Sequence, residues 1–268
     1  MKTKKINIKK RIEILKKSPS YKRAYKDSDF LTLPELRPVR LQLELLKPEI
    51  ILKKNNITST IVVFGSSRIL SPEEVLKIKK KGQKVSKKLL ELTRYYEIAR
   101  KFTKLVALRA KNKLTVVTGG GPGIMEAANR GAFEAGVKTA GLNITLPYEQ
   151  NPNPYISPEL VFNFHYFAIR KLHFVMRSKA LVVFPGGFGT MDELFETLTL
   201  VQTGKKSHIP IILVDKKWWT TIVNFEAFAD FGTINRKDLK LMKFADNEKE
   251  IWQIISDFYK TGRKKVKK

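Results

Sequence analysis

An apolar run, Ala180-Leu-Val-Val-Phe184, passes directly into Pro185-Gly-Gly-Phe-Gly-Thr-Met-Asp-Glu193 and then into Leu194-Phe-Glu-Thr-Leu-Thr-Leu200. The first run reads as a buried parallel strand, and the last has helical periodicity. A strand that breaks through glycines into a helix leaves the first helical N–H groups unpaired and aims the positive end of the helix dipole outward. Such a turn implies alternating strands and helices, and it offers a site for an anion. Thr190 adds a hydroxyl at the helix entrance, and Glu193 puts a carboxylate one turn in.

A second unit of the same kind lies upstream. Leu114-Thr-Val-Val-Thr118 leads into Gly119-Gly-Gly-Pro-Gly-Ile-Met-Glu126 and the helical run Ala127–Ala135. Pro122 suits an early helical position, where its missing N–H costs nothing. Neither loop is a Walker loop, because no Gly-Lys-Ser/Thr follows. Neither fits the dinucleotide fingerprint, since Glu126 stands where a third glycine would be needed. One glycine turn alone is compatible with a plain tight connection. Two in one chain point to paired phosphate and sugar sites, with donors from Gly186, Gly187, Gly189 and Thr190 and from the loop holding Gly120, Gly121 and Gly123.

Strands are expected near 59–64, 114–118, 138–145, 180–184 and 209–214, alternating with helical segments. That pattern predicts an α/β fold, a single Rossmann-like domain with helices on both faces of a parallel sheet, plus an N-terminal helical arm. The first core strand runs into Gly65-Ser-Ser-Arg68, so Ser66 and Arg68 stand at the carboxyl end of a central strand, where open α/β sheets bind ligands. Ser71-Pro-Glu-Glu74 has the features of a capped helix start. Val85, Leu89, Leu92, Tyr96, Ala99, Phe102 and Val106 then mark one buried stripe. In the expected organisation, 1–18 is a basic disordered tail and 19–56 a helical arm broken by Pro34, Pro38 and Pro48. The nucleotide-binding catalytic domain covers 57–260, with a basic helical segment at 73–111, and 261–268 is a second basic tail.

The net charge of +27 raises the question of nucleic acid, and its location answers it. Residues 1–17 carry +7, 77–113 carry +12 and 260–268 carry +6, which leaves only +2 for the rest. Lysine outnumbers arginine 39 to 13, whereas base and phosphate readers lean on arginine's planar fork. The charge therefore speaks for a solvated surface over a nucleic-acid partner. There is no cysteine, and His165, His173 and His208 are dispersed, so neither a metal nor another cofactor is expected. No apolar run has membrane-spanning length, and the basic N-terminus lacks the apolar core of a secretory signal. A cytoplasmic location without membrane contact is the expectation.

Gly119–Asn129, the Arg170-Lys171 pair and Pro185–Glu193 together resemble the LOG ("Lonely guy") family. Its characterised members are nucleoside 5′-monophosphate phosphoribohydrolases, including cytokinin-activating enzymes, and it has often carried the label lysine decarboxylase. The resemblance covers roughly residues 57 to 260, while the added N-terminal and basic segments are similar to a longer bacterial subgroup. It implies a homodimer, a purine monophosphate such as AMP as substrate, and catalytic roles for Arg170 and Glu193. Arg170 can hold phosphate or balance charge on the leaving base. Ser66, Gly120, Gly121, Gly123, Glu126, Lys171, Gly186, Gly187, Gly189 and Thr190 are the expected substrate contacts, with Glu126 open to a structural role instead. A nucleotide sensor without turnover is the alternative reading, and a nucleic-acid-binding protein a more distant one. The decarboxylase label finds no lysine identifiable as a Schiff-base partner.

Overall fold

This computed structural model describes residues 7–110, 113–147 and 151–266. The chain divides into two units, Met1–Leu46 and Lys47–Lys268.

The first unit is helical. Helix α1 (Ile8–Lys16) starts at Asn7, whose side chain accepts from the Lys10 N–H at 3.2 Å. Disorder is the expectation for residues 1–18; residues 1–6 lie outside the described residues, and Ile8–Lys16 is a capped helix. Its Ile8, Ile12 and Leu15 recur at helical spacing, and none of its residues is buried. Asp27 caps the short α2 (Ser28–Thr32). Arg40 then donates to the carbonyls of Leu31 and Leu33 at 2.8 and 2.6 Å, which fixes the turn into α3 (Arg37–Lys54). The prolines do not break this arm as expected. Pro34 opens a 3-10 turn, and Pro38 sits in the first turn of α3, where no N–H is needed. Pro48 lies inside α3, which continues past it at the loss of one ladder bond.

The second unit is built on β1 (Thr60–Phe64), β2 (Thr115–Thr118), β3 (Thr139–Ile144), β4 (Val161–Phe164), β5 (Ser178–Val183), β6 (Ile211–Val214) and β7 (Met242–Ala245). These strands form one seven-stranded sheet in the order β4-β3-β2-β1-β5-β6-β7. Every pairing is parallel. Strand β4 was not among the expected strands; it is a four-residue edge strand with alternating burial. The connections are α4 (Pro72–Lys80), α5 (Lys87–Ala110), α6 (Ile124–Glu134), α7 (Phe167–Met176), α8 (Phe188–Gln202), α9 (Lys216–Ile222) and α10 (Phe225–Asp230). Helix α11 (Glu248–Val266) closes the chain and runs well into the expected C-terminal basic tail. Helix α4 begins with the anticipated capping box, Ser71 and Glu74 exchanging bonds of 2.7 and 3.1 Å.

Side chains alternate between the two faces of the sheet. Val62, Phe64, Leu181 and Val183 join a core with Phe174 of α7, Leu194 of α8 and Trp219 of α9. Ile61, Val63, Ala180 and Val182 join another with Tyr96 and Phe102 of α5, Ile124 of α6 and Ile251 of α11. A parallel sheet covered on both faces is the α/β, Rossmann-like arrangement. The chain winds from β1 out to β4, then crosses back to β5 beside β1. The carboxyl ends of β1 and β5 therefore form the topological switch point, where such sheets leave a crevice. Among the described residues no helix is long and apolar enough to cross a membrane.

Candidate active site

Three loops meet at that crevice, and Ser66 ties them together. Its N–H donates to the Pro185 carbonyl at 3.0 Å, and its own carbonyl accepts from the Ile124 N–H at 3.1 Å. The loops after β1, β2 and β5 are thus locked by main-chain bonds that do not depend on side-chain identity. The Ser66 hydroxyl accepts from the Arg68 N–H at 3.1 Å.

The first glycine loop needs its glycines. Gly120 has φ +74°, and a Cβ there would lie 2.0 Å from Asn143 Oδ1. Behind the loop is a buried polar network. Thr118 accepts from the Gly120 N–H at 3.0 Å and donates to Asn129 at 2.7 Å. Asn129 donates to Thr139 and to the Ala140 carbonyl, and Asn153 donates to Asn129 and to the Gly121 carbonyl. Satisfied buried networks of this kind rigidify the backbone they hold. In the second loop, a Cβ on Gly186 would strike Thr190 Oγ1 at 2.1 Å, whereas Gly187 and Gly189 face open space. Helix α8 starts at Phe188, so its first N–H groups open into the cleft without intrahelical acceptors.

The cleft has a volume of about 660 Å³. Of the residues expected at the site, Ser66, Gly121, Arg170, Gly186, Gly187, Gly189, Thr190 and Glu193 line it. Gly120, Gly123, Glu126 and Lys171 are not on its wall. Gly120 and Gly123 shape the loop, and a Cβ on Gly123 would meet the Ser66 carbonyl oxygen at 2.4 Å. Glu126 accepts from the buried Tyr96 hydroxyl at 2.7 Å, which braces α6 against α5. Lys171 reaches Asp192 at 2.6 Å and Glu196 at 3.7 Å, linking α7 to α8 on the outer side.

Arg170 and Glu193 come together. Arg170 Nη2 lies 3.8 Å from Glu193 Oε1, with side chains 14% and 5% exposed. Phe167 and Phe174 stack on the guanidinium, at 4.9 and 5.7 Å from their ring centres. Burial pushes the Glu193 carboxyl up to about 7, against the pull of Arg170. Burial likewise moves the Arg170 guanidinium below its ordinary value, with the Glu193 charge opposing. The separation exceeds hydrogen-bond length, so neither group's desolvation is fully offset. The same helix is anchored elsewhere: buried His173 places Nδ1 3.3 Å from Glu49, which Arg177 grips through both guanidinium nitrogens.

Sequence reasoning missed Met125, Asn143, Phe167 and Phe188, all on the cleft wall. A polar residue next to the end of a largely apolar strand was the available signal for Asn143. Phe188, 96% exposed between two glycines, was visible as a large apolar residue with nowhere to pack.

The family model described as "Possible lysine decarboxylase" matches residues 125–255. Two cytokinin riboside 5′-monophosphate phosphoribohydrolases of Arabidopsis thaliana are similar in sequence. One is 23% identical, covering 55% of this chain and 69% of its own length. The other is 24% identical, covering 56% and 71%. The molybdenum cofactor binding protein from the phototrophic bacterium Rippkaea orientalis is similar in fold. It has a TM-score of 0.50 and 20% identity, with coverage of 75% of this chain and 98% of that one. The stretch that the family model matches carries Arg170 and the second glycine loop, and the chain is similar to the family that these two relatives represent.

Proposed function

We propose that this protein is a nucleoside 5′-monophosphate phosphoribohydrolase, converting a purine monophosphate and water into free base and ribose 5-phosphate. The observation that carries this reading is Glu193, a buried carboxyl beside Arg170 in the cleft that the α8 N-terminus opens into. The relatives' activity, on a riboside 5′-monophosphate, agrees with it.

In this mechanism the phosphate sits at the start of α8, on the N–H groups around Gly187 and Gly189 and the Thr190 hydroxyl. The bond from the anomeric carbon to the base nitrogen breaks, and its electron pair leaves with the base. Positive charge develops on the ribose. Ionised Glu193 stabilises that charge and takes a proton from the water whose oxygen bonds to the anomeric carbon. The departing base takes up a proton from solvent and Glu193 afterwards releases to solvent the one it took, so one water is consumed for each bond cleaved. Arg170 supplies fixed positive charge to the phosphate or to the leaving base. Lys171 and Glu126 support the helices that carry these groups.

The catalytic unit in this reading is 57–260, with 19–56 as its helical arm, and the protein works as a cytoplasmic homodimer. Val39, Leu43, Leu46 and Ile50 support association: they recur at spacings of four and three along α3 and are 39–63% exposed. Purified protein incubated with a panel of nucleoside 5′-monophosphates tests the function. Release of free base with ribose 5-phosphate supports it, and binding without release makes the protein a nucleotide sensor.

A further inference from the structure

Helix α1 buries none of its residues, yet its two faces differ. At about 100° per residue, Ile8, Ile12 and Leu15 fall within roughly 60° of one another and form one ridge. These three side chains are 46–71% exposed. Arg11 borders the ridge on one side and Lys9 and Lys16 on the other, with Lys10 and Glu13 on the far face. A helix that served only the fold would turn such a ridge to the core.

The charge here has one sign. Residues 8–26 hold eight basic side chains and a single acidic one, Glu13. None of Lys9, Lys10, Arg11, Lys16 and Lys17 is in an ion pair with a described residue. Two 3-10 turns follow the helix and present Tyr21 and Tyr25, 69% and 68% exposed. Tyrosine suits the headgroup level of a bilayer, where one end of the ring is apolar and the other wet. A nucleic acid would be held by the cations alone and would leave the ridge in water.

We infer that α1, with the turns that carry Tyr21 and Tyr25, docks the protein on an anionic phospholipid surface. Ile8, Ile12 and Leu15 enter the boundary between headgroups and acyl chains, and the stems of Arg11 and Lys16 carry their charges back to the lipid phosphates. A nine-residue helix is about 13 Å long, far short of a hydrocarbon core of about 30 Å, so it lies along the surface. The expectation of no membrane contact rests on the lack of a spanning run, and a surface helix needs none. The inference is independent of the nucleotide reading of the cleft.

The test is sedimentation of the full chain with vesicles of phosphatidylcholine alone and of phosphatidylcholine mixed with phosphatidylglycerol. The mixed vesicles should bind it roughly tenfold or more tighter than the neutral ones, and rising salt should weaken that binding. Ile12→Gln with Leu15→Gln keeps every charge and should weaken binding roughly 10- to 100-fold. Lys9→Gln with Lys16→Gln keeps the ridge and should cost about fivefold for each charge removed. Glu13→Lys should tighten binding about fivefold or more, a gain that a misfolded helix does not produce. Equal binding to both kinds of vesicle, binding to neither, or no gain from Glu13→Lys overturns the inference. So does vesicle binding that survives the loss of Ile12 and Leu15; if poly(U) competes for it, the segment is a nucleic-acid arm. A ridge whose loss turns a dimer into a monomer, with no vesicle binding by the parent, belongs to a second copy and overturns it too. Release of base from AMP, measured without vesicles, should be the same in the parent and these variants, so the docking and the hydrolase reading fail separately.

Discussion

Arg170 and Glu193 face each other in the cleft at 3.8 Å, close enough for attraction and too far for a hydrogen bond. Both are largely withdrawn from water, and Arg170 Nε is buried without a partner. A structural ion pair at this depth would close to a direct, bidentate contact. The open geometry suits a pair whose remaining hydrogen-bonding capacity is directed at a ligand.

Arg170→Ala separates its two assigned duties. If the guanidinium holds phosphate, nucleotide affinity falls along with turnover. If it balances charge on the departing base, turnover falls while affinity stays within a few-fold. Loss of one such charged donor should cost roughly 10²–10³-fold in rate. Unchanged rate and affinity together would remove Arg170 from the site.

The Glu193 carboxyl, raised by burial from 4.5 to about 7, fixes two pH dependences. Chemistry that needs the carboxylate should rise through pH 7 and level off above it, read as kcat/KM between pH 5 and 9. Stability runs the other way. Between pH 4.5 and 7 the folded protein keeps a proton that the unfolded chain has lost, so this group's contribution is present below that window and gone above it. Glu193→Gln should therefore stabilise the protein at pH 8 relative to its effect at pH 4.5, by on the order of 1–3 kcal/mol. Urea unfolding at the two pH values measures this, and an equal effect at both would contradict it.

Asn129 holds the first glycine loop from behind, fully buried and bonded to four partners. Asn129→Leu leaves those partners unpaired in the core. It should cost about 2–4 kcal/mol and weaken nucleotide affinity, although the residue lies off the cleft wall. Chemical denaturation and titration with nucleotide check the two effects, and a variant as stable as the parent would remove the network's structural role.

Much of this architecture is legible in the sequence because glycine turns have strict steric causes. The two strand–glycine–helix units announce both loops and the position of Glu193. The Ser71–Glu74 box announces α4. Less legible is what depends on distant partners. Glu126 and Lys171 look like site residues by position, but they lie off the cleft wall, held by Tyr96 thirty residues away and Asp192 twenty-one away. Strand β4 is four residues long and follows a proline-rich loop, so its alternation gives little signal. Pro48 sits within α3 because helix on both sides and burial at that turn outweigh one missing bond. Asn143 draws no notice in a strand until its carboxamide is seen against Gly120.

The exposed stripe of α3 gives the association prediction. Leu43→Glu with Leu46→Glu places charge at the centre of the stripe and should shift a dimer to a monomer by light scattering at micromolar concentration. The parent chain running as a monomer under the same conditions would contradict the homodimer.

The central claim is that Glu193 drives cleavage of the glycosidic bond. Its most direct test is the release of free base from AMP by the parent protein and by Glu193→Gln, followed by chromatography at pH 8. The parent should release base and ribose 5-phosphate in equal amounts, and the variant should be slower by roughly 10²–10⁴-fold while still binding the nucleotide. Intact AMP after prolonged incubation with the parent, or equal rates for parent and variant, would contradict the claim.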